Sequence, residues 1–473
     1  MNYDRNWEQL FMLLTVSSYF LPVKCLAPCD VVFVVLSQGG TSYTETQAEL
    51  ARKHLLGQSE DGGQDSPVIY LTHEEFQHPG SWTVLPMIQT LNLRHGTNAS
   101  WVVFGDSQTR FKLRRLLNHL AEHDKLQEMW LGRALHDREA TIIHHFAFAD
   151  NPQLFKYPHI SSGFAMSRAL LNRLSARLAS ESVRKMDFSI DPAHELALFV
   201  RDGGRGPSLT PSEALCLHDQ PQCASYVSPP EPCGEPIPKK SMYFAVKTCK
   251  KFHTDRVPIV KRTWAKHAVH LGFFSEADDE TIPTINVGVP NTEQGHCGKT
   301  TAILRHVAAR LVDMADVKWV VLVDDDTILS VGRLQQLLAC FDASRPLALG
   351  ERYGYRLLRP SQGYNYLTGG AGVALGRDAV ASVAASDYCR CSSPSAPDDM
   401  FLGVCLARLG VPVVHSPLFH QARPVDYAPE YLAVQSPVSF HKHWMIDPVS
   451  VYERWFRDVD KELAAAERSH LEL

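Results

Sequence analysis

The chain runs to 473 residues, with 47 Lys and Arg against 52 Asp and Glu, a net charge of −5, and 45% hydrophobic residues. This is the composition of an ordinary globular protein. It excludes a disordered tail-like chain and carries no nucleic-acid footprint, and the length leaves room for about two or three domains.

In chain order, residues 1–27 read as a targeting segment. Leu10 to Val23 is apolar apart from a few hydroxyls, and Ala27 is a small residue suited to cleavage. The run is short for a membrane span. Arg5 is offset by Asp4 and Glu8, so an uncleaved signal anchor stays open beside a cleaved signal peptide. Cleavage would remove Cys25 from the eleven cysteines. The even number left suits disulfides in an oxidising lumen.

A first domain is expected over 28–227. Asp30 to Leu36 and Pro67 to Leu71 read as strands, and Asn98-Ala99-Ser100 is a glycosylation sequon. Trp101-Val102-Val103-Phe104-Gly105-Asp106-Ser107-Gln108-Thr109 matches Trp319 to Thr327 position by position, and Tyr157 to Arg168 matches Tyr366 to Arg377 without a gap. Each copy places a helical pattern between the two segments, through Leu113, Leu116, Leu117 and Leu120 or through Leu334, Leu337, Leu338 and Phe341. These matches predict two related α/β domains. Residues 228–240 form a proline-rich linker, with Cys216, Cys223 and Cys233 placed to staple it.

A second domain is expected over 241–460. Met242 to Val246 is its first strand, followed by Lys247 and Thr248. Phe252-His253, Arg256 and Arg262-Thr263-Trp264 read as an amphipathic helix, and this basic, hydroxyl-bearing loop and helix suit a nucleotide diphosphate. Arg262 reads equally well as a surface residue. Gly295-His296-Cys297-Gly298-Lys299 precedes a helix through Leu304, Ala308 and Leu311.

Trp319 to Val323 then forms a buried parallel strand that ends in Asp324, Asp325 and Asp326. Three adjacent carboxylates repel one another and need a cation. Hard oxygen ligands without cysteine suit Mn²⁺ or Mg²⁺, which usually also hold substrate phosphates. Downstream, Thr368-Gly369-Gly370-Ala371-Gly372 lets backbone approach a ligand closely. Asp398 and Asp399 open a helix, Asp398 as a cap and Asp399 as a free base. His441 follows a short apolar run. The tail, 461–473, ends His470-Leu471-Glu472-Leu473 and shares its last two residues with the Lys-Asp-Glu-Leu retention signal. With the targeting segment, it points to the endoplasmic reticulum.

Val246-Lys247-Thr248, Val323-Asp324-Asp325-Asp326, Thr368-Gly369-Gly370-Ala371-Gly372 and Pro397-Asp398-Asp399, in this order and spacing, resemble the β1,3-glycosyltransferase family that includes the fringe enzymes. The resemblance covers roughly Ser241 to Phe456. Glu351-Arg352-Tyr353-Gly354-Tyr355, Phe419 to Tyr427 and Ser439-Phe440-His441-Lys442-His443-Trp444, with the duplicated first half and the retention-like tail, are similar to the branch that adds glucose to O-linked fucose on thrombospondin type 1 repeats.

The resemblance implies two tandem Rossmann-like domains of the GT-A type, the first degenerate because Ser107 and Gln108 stand where Asp325 and Asp326 stand in the second. It implies an inverting transfer from UDP-glucose to O-fucosylated thrombospondin type 1 repeat proteins. Asp326 would hold Mn²⁺ (or Mg²⁺), Asp324 and Asp325 would face the nucleotide sugar, and Lys247, Thr248, Arg256, Gly369 and Gly370 would surround the donor. Asp399 would be the catalytic base. Fringe enzymes carry a second histidine two residues after the one matching His420, and Ala422 stands there instead. Other members place the metal histidine in a segment like Ser439-Phe440-His441, so His441 is the expected ligand and His420 the reserve. Another UDP-sugar, of N-acetylglucosamine or galactose, and a lumenal binding pseudoenzyme are the alternatives.

Overall fold

A computed structural model describes residues 26–58, 66–139, 150–180, 187–359 and 361–471. Most of the expected targeting segment, and Glu472 and Leu473 of the tail, lie outside these residues. Among the described residues, no helix is long and apolar enough to cross a membrane.

Two mixed sheets organise the α/β fold. In the first, Val68–Leu71, Val31–Leu36, Trp101–Asp106, Phe164–Ser167, Trp130–Gly132 and Thr210–Pro211 lie side by side in that order. The first three strands are parallel and Phe164–Ser167 runs against both neighbours. The second sheet reads Thr284–Asn286, His270–Ser275, Met242–Lys247, Trp319–Asp324, Val373–Gly376, Ala348–Gly350 and Val413–His415. Its strand directions follow the same plan, with Thr284–Asn286 added at the edge.

The apolar runs explain why these segments are central. Alternate residues of a strand face opposite sides, and a strand covered on both sides has no polar face to keep. Phe244, Val246, Val321 and Val323 join one buried cluster, while Tyr243, Ala245, Val320 and Leu322 join the other. The first sheet divides likewise, Val32 and Val34 to one side and Val31 and Phe33 to the other.

The two sheets also share strand register. Trp101 pairs with Ser167 and Trp319 with Gly376, as the position-by-position match requires. In both copies the strand-end Asp donates its backbone N–H to a Thr hydroxyl three residues on, Asp106 to Thr109 (2.8 Å) and Asp324 to Thr327 (3.1 Å). Each Thr then opens a short strand. Thr109 pairs with Val227, and Thr327 pairs with His441.

The expected amphipathic helix around Arg256 is instead broken into pieces. A 3₁₀ turn over Lys250–Phe252 precedes a helix limited to Val257–Arg262, and a second 3₁₀ turn spans Trp264–His267. Pro258 fits only in a first helical turn. At the other end the Thr263 hydroxyl donates back to the Ile259 carbonyl (2.7 Å), which competes with helix continuation.

Four disulfides lie among the described residues. Cys216–Cys223 closes a short loop, and Cys233–Cys340 ties the linker to the second half. Cys297–Cys391 and Cys389–Cys405 fasten the segment that leads into Asp398. Cys249 is buried and unpaired. The two halves are also joined directly. Phe188–Ser189 pairs with the strand Arg352–Tyr355, and the Gln38 amide bonds both backbone groups of His415, at 2.8 and 2.9 Å. Asn98 of the sequon is exposed in a turn.

Candidate active site

The tight turn after Trp319–Asp324 builds the site. Thr327 accepts from Asp324 N–H and passes its own hydroxyl proton to the Gly370 carbonyl (2.8 Å), so the acid turn and the glycine segment are locked together. Asp325 is buried and accepts from Thr248 Oγ1 (2.7 Å) and Arg256 Nη1 (2.9 Å). Burial raises its carboxyl to about 6 against those two hydrogen bonds. Asp326 lies between His441 Nε2 (3.1 Å) and Arg256 Nη1 (2.9 Å). Burial opposes its ionisation, but His441 first and Arg256 next hold it well below the usual carboxylate range. The Arg256 guanidinium is braced on the Phe252 ring, 3.7 Å from its centroid.

Asp324, Asp326 and His441 each offer a ligand atom, all within 4.8 Å of one another. The donor set fits a divalent cation. His441 Nδ1 lies 3.1 Å from the Gln421 carbonyl and donates to it, which in the neutral ring leaves the Nε2 lone pair facing Asp326 Oδ1. A lone pair against a carboxylate oxygen at that distance requires a proton or a metal ion between them. Without a metal, Asp326 raises the His441 pKa, although burial lowers it. Gln421 also accepts from Ala371 N–H (2.8 Å) and donates its own N–H to Glu351 Oε2 (2.5 Å), so the histidine rests on a tied frame.

The glycines have separate reasons. A Cβ on Gly370 would meet the His441 ring at 2.3 Å, so the imidazole occupies the space a side chain would need. A Cβ on Gly369 meets nothing within 4 Å, which leaves open space beside the cluster.

Lys247 is buried, with Nζ 3.0 Å from Asp324 Oδ1 and 2.6 Å from Asp398 Oδ2. Burial disfavours its charge, but the two carboxylates raise its pKa overall. Asp398 also accepts from Thr300 Oγ1 (2.7 Å), and Lys247 lowers its pKa against the effect of burial. Asp398 is therefore an ion-pair partner and not the expected cap; the helix Asp398–Arg408 starts from Pro397 with no side-chain cap. Asp399 is half-buried, and its only hydrogen bond among the described residues is from Met400 N–H (2.7 Å). Burial, then the Asp398 carboxylate, raises it to about 6. One acid is thus paired with a lysine, while its neighbour holds no ion pair among the described residues.

The fringe-like family model matches residues 237–462. A human protein named β-1,3-glucosyltransferase is 48% identical over 439 residues, 92% of this chain and 87% of that protein. The mouse protein of the same name is 47% identical over 440 residues, 93% of this chain and 88% of that protein. This chain belongs to the fringe-like β1,3-glucosyltransferases. Human β-1,3-N-acetylglucosaminyltransferase lunatic fringe is 29% identical over 211 residues, 40% of this chain and 55% of that protein.

Within this glucosyltransferase the reserve ligand His420 is withdrawn. It is buried, its Nδ1 lies 3.1 Å from the carbonyls of Leu418 and Ser439, and its Nε2 lies 2.9 Å from Gln435 Oε1. Burial lowers it to about 4, and both ring nitrogens lie against polar groups of the core rather than beside the acid cluster. Arg262 is exposed, as its surface reading had it. A residue not singled out from the sequence is His443. Both of its ring nitrogens are buried and have no hydrogen-bond partner among the described residues, and it senses the charges of Asp326, Arg256 and His441. The left-handed Lys442 (φ 76°), whose N–H donates to the Asp326 carbonyl (3.1 Å), turns the chain between the two histidines. The repeated His-x-His spacing was the available signal.

Proposed function

We propose that this glucosyltransferase moves glucose from UDP-glucose to O-linked fucose on thrombospondin type 1 repeats, with inversion at the anomeric carbon, in its second half. One observation carries the reading. A complete acid–histidine cluster stands with a carboxylate, Asp399, that makes no side-chain hydrogen bond or ion pair among the described residues, in a chain related over most of its length to proteins named for β1,3-glucosyl transfer.

Asp399 takes the proton from the acceptor hydroxyl as its oxygen attacks the anomeric carbon from the face opposite the leaving diphosphate. A well-placed base contributes roughly 10²–10⁴-fold. Arg256 and His443 offer donors to the diphosphate, and Lys247 bridges Asp324 and Asp398. Asp324, Asp326 and His441 would hold Mn²⁺ or Mg²⁺, which when bound neutralises charge on the departing diphosphate. Gly369 leaves room for the donor sugar.

In this reading 28–227 and 241–460 are tandem GT-A-type domains joined by 228–240, and the first is non-catalytic. The shared register supports it: Leu36 stands for Lys247, Ser107 and Gln108 for Asp325 and Asp326, and Val227 for His441. Of these register-matched positions, only Asp106 keeps the residue type of its counterpart, Asp324. The exposed sequon and the disulfides support residence in an oxidising lumen, that of the endoplasmic reticulum in this reading.

Paired substitutions test the base. Asp399→Asn should lower kcat by roughly two to four orders of magnitude, with melting temperature and UDP-glucose binding retained. Asp398→Asn should weaken the Lys247 ion pair and lower stability, with a far smaller loss of rate. A reversed ranking in kcat makes Asp398 the base.

A further inference from the structure

A cavity of about 220 Å³ lies where the two halves meet, at the carboxyl ends of the central strands of the first sheet. Leu36 and Asp106 to Gln108 line it from the first half, and Glu351, Arg352 and Tyr431 from the second. Through the shared register this is the first half's counterpart of the nucleotide-sugar site.

Its chemistry is different. Leu36 replaces the buried cation Lys247. The lining arginine, Arg352, is already engaged: Nη1 donates to Gln38 Oε1 (3.1 Å), and the guanidinium lies 4.6 Å from the Trp82 ring centroid. Carboxyl groups of Asp106, Asp191 and Glu351 also line the space, and they offer a diphosphate no counter-charge. The size also argues against a nucleotide sugar. A cavity of roughly 150 Å³ holds benzene, and drug-sized ligands need about 300–1,000 Å³. There is room for one substituted six-membered ring.

The walls combine aromatic faces with short-range polar groups. Trp82, Tyr157, Tyr427 and Tyr431 supply rings, while Gln108, Ser161 and Gln435 supply amide and hydroxyl groups. Arg352 is only 7% exposed, yet its Nε has no hydrogen-bond partner. Burying such a donor unpaired is costly, and an oxygen of a bound ligand would relieve it. Burial pushes Glu351 up to about 8, which suits a carboxyl that meets hydroxyls rather than one that holds a cation.

We propose that this seam is a second ligand site, which takes one uncharged monosaccharide unit by ring stacking on its aromatic wall and by hydroxyl contacts to Arg352, Glu351 and Gln108. The site is independent of the chemistry assigned to Asp399, and its test needs no turnover. The full chain is titrated with methyl α-L-fucopyranoside, methyl β-D-glucopyranoside and methylguanidinium, with saturation-transfer NMR as the readout, in the presence of saturating UDP and Mg²⁺ to fill the other site. A glycoside is expected to bind under UDP. Ser107→Trp and Gln108→Trp, both in a half-buried turn, should each weaken that binding at least tenfold with melting temperature unchanged. Displacement of the glycoside by UDP, binding that survives both tryptophan variants in folded protein, binding of methylguanidinium alone, or no binding by the wild-type chain would each overturn the proposal.

Discussion

Gly370→Ala changes one hydrogen to a methyl group, and the structure says what that methyl meets. The new Cβ would lie 2.3 Å from His441 Cε1, 2.4 Å from Nδ1 and 2.6 Å from Nε2. Ordinary carbon contacts are about 3.5–4.0 Å, so the imidazole must retreat by about 1 Å or more. It cannot do so freely. Nδ1 is bonded to the Gln421 carbonyl, Gln421 is tied to Ala371 and Glu351, and the preceding Phe440 is fully buried. The retreat therefore moves Nε2 away from Asp326. Disturbing the support of a metal ligand costs roughly 10–100-fold in metal affinity, and a misplacement of about 1 Å costs on the order of 10²-fold in rate. Overpacking should also lower stability by about 1–3 kcal/mol. Mn²⁺ binding by calorimetry, the Mn²⁺ dependence of the initial rate and thermal unfolding measure the three effects. A Gly370→Ala protein with wild-type Mn²⁺ affinity and rate would refute the reasoning, because the ring it displaces would then not be a ligand.

Three further outcomes follow from the same geometry. Asp326→Asn should abolish transfer even in excess Mn²⁺ while the protein stays folded; near-normal activity would remove Asp326 from the ligand set. Asp399 must be ionised to accept a proton, and its carboxyl is raised to about 6, so kcat/KM should climb with pH through about 6 and level off above it; a profile flat down to pH 5 contradicts the assignment. His420→Asn should lower the melting temperature, since it unpairs Gln435 and the Ser439 carbonyl at about 1–3 kcal/mol, but should leave Mn²⁺ affinity within a few-fold; a lost Mn²⁺ site would reinstate His420.

The strands were legible because their signals are local. Val31 to Leu36 and Trp319 to Val323 are continuous apolar runs, which is how a strand buried on both faces must read. The Asp-x-x-Thr turn is also written in adjacent residues, and Asp324, Asp326 and His441 do converge. What was not legible depends on partners distant in the chain. Lys247 and Asp398 are 151 residues apart and meet only through the sheet and the disulfide-fastened segment. That pairing turned Asp398 from a cap into a counter-ion. His420 and His441 looked alike in sequence, and only packing shows that Gln435 and Ser439 consume the first. The equivalence of Val227 and His441 needed strand register, since the segments around them share little more than a serine and an aromatic residue. The helix around Arg256 was overextended because the stop signals, Pro258 and Thr263, were outweighed by its apolar spacing.

The central claim is the transfer itself. Purified full-length chain should be given a folded, O-fucosylated thrombospondin type 1 repeat with UDP-glucose, UDP-N-acetylglucosamine or UDP-galactose in turn, in Mn²⁺, and the product mass and anomeric configuration measured. The account predicts one added hexose from UDP-glucose alone, β-linked to O3 of fucose, and none with Asp399→Asn. Transfer from either other donor in preference to glucose, an α-linked product, or no transfer to the fucosylated repeat would contradict it.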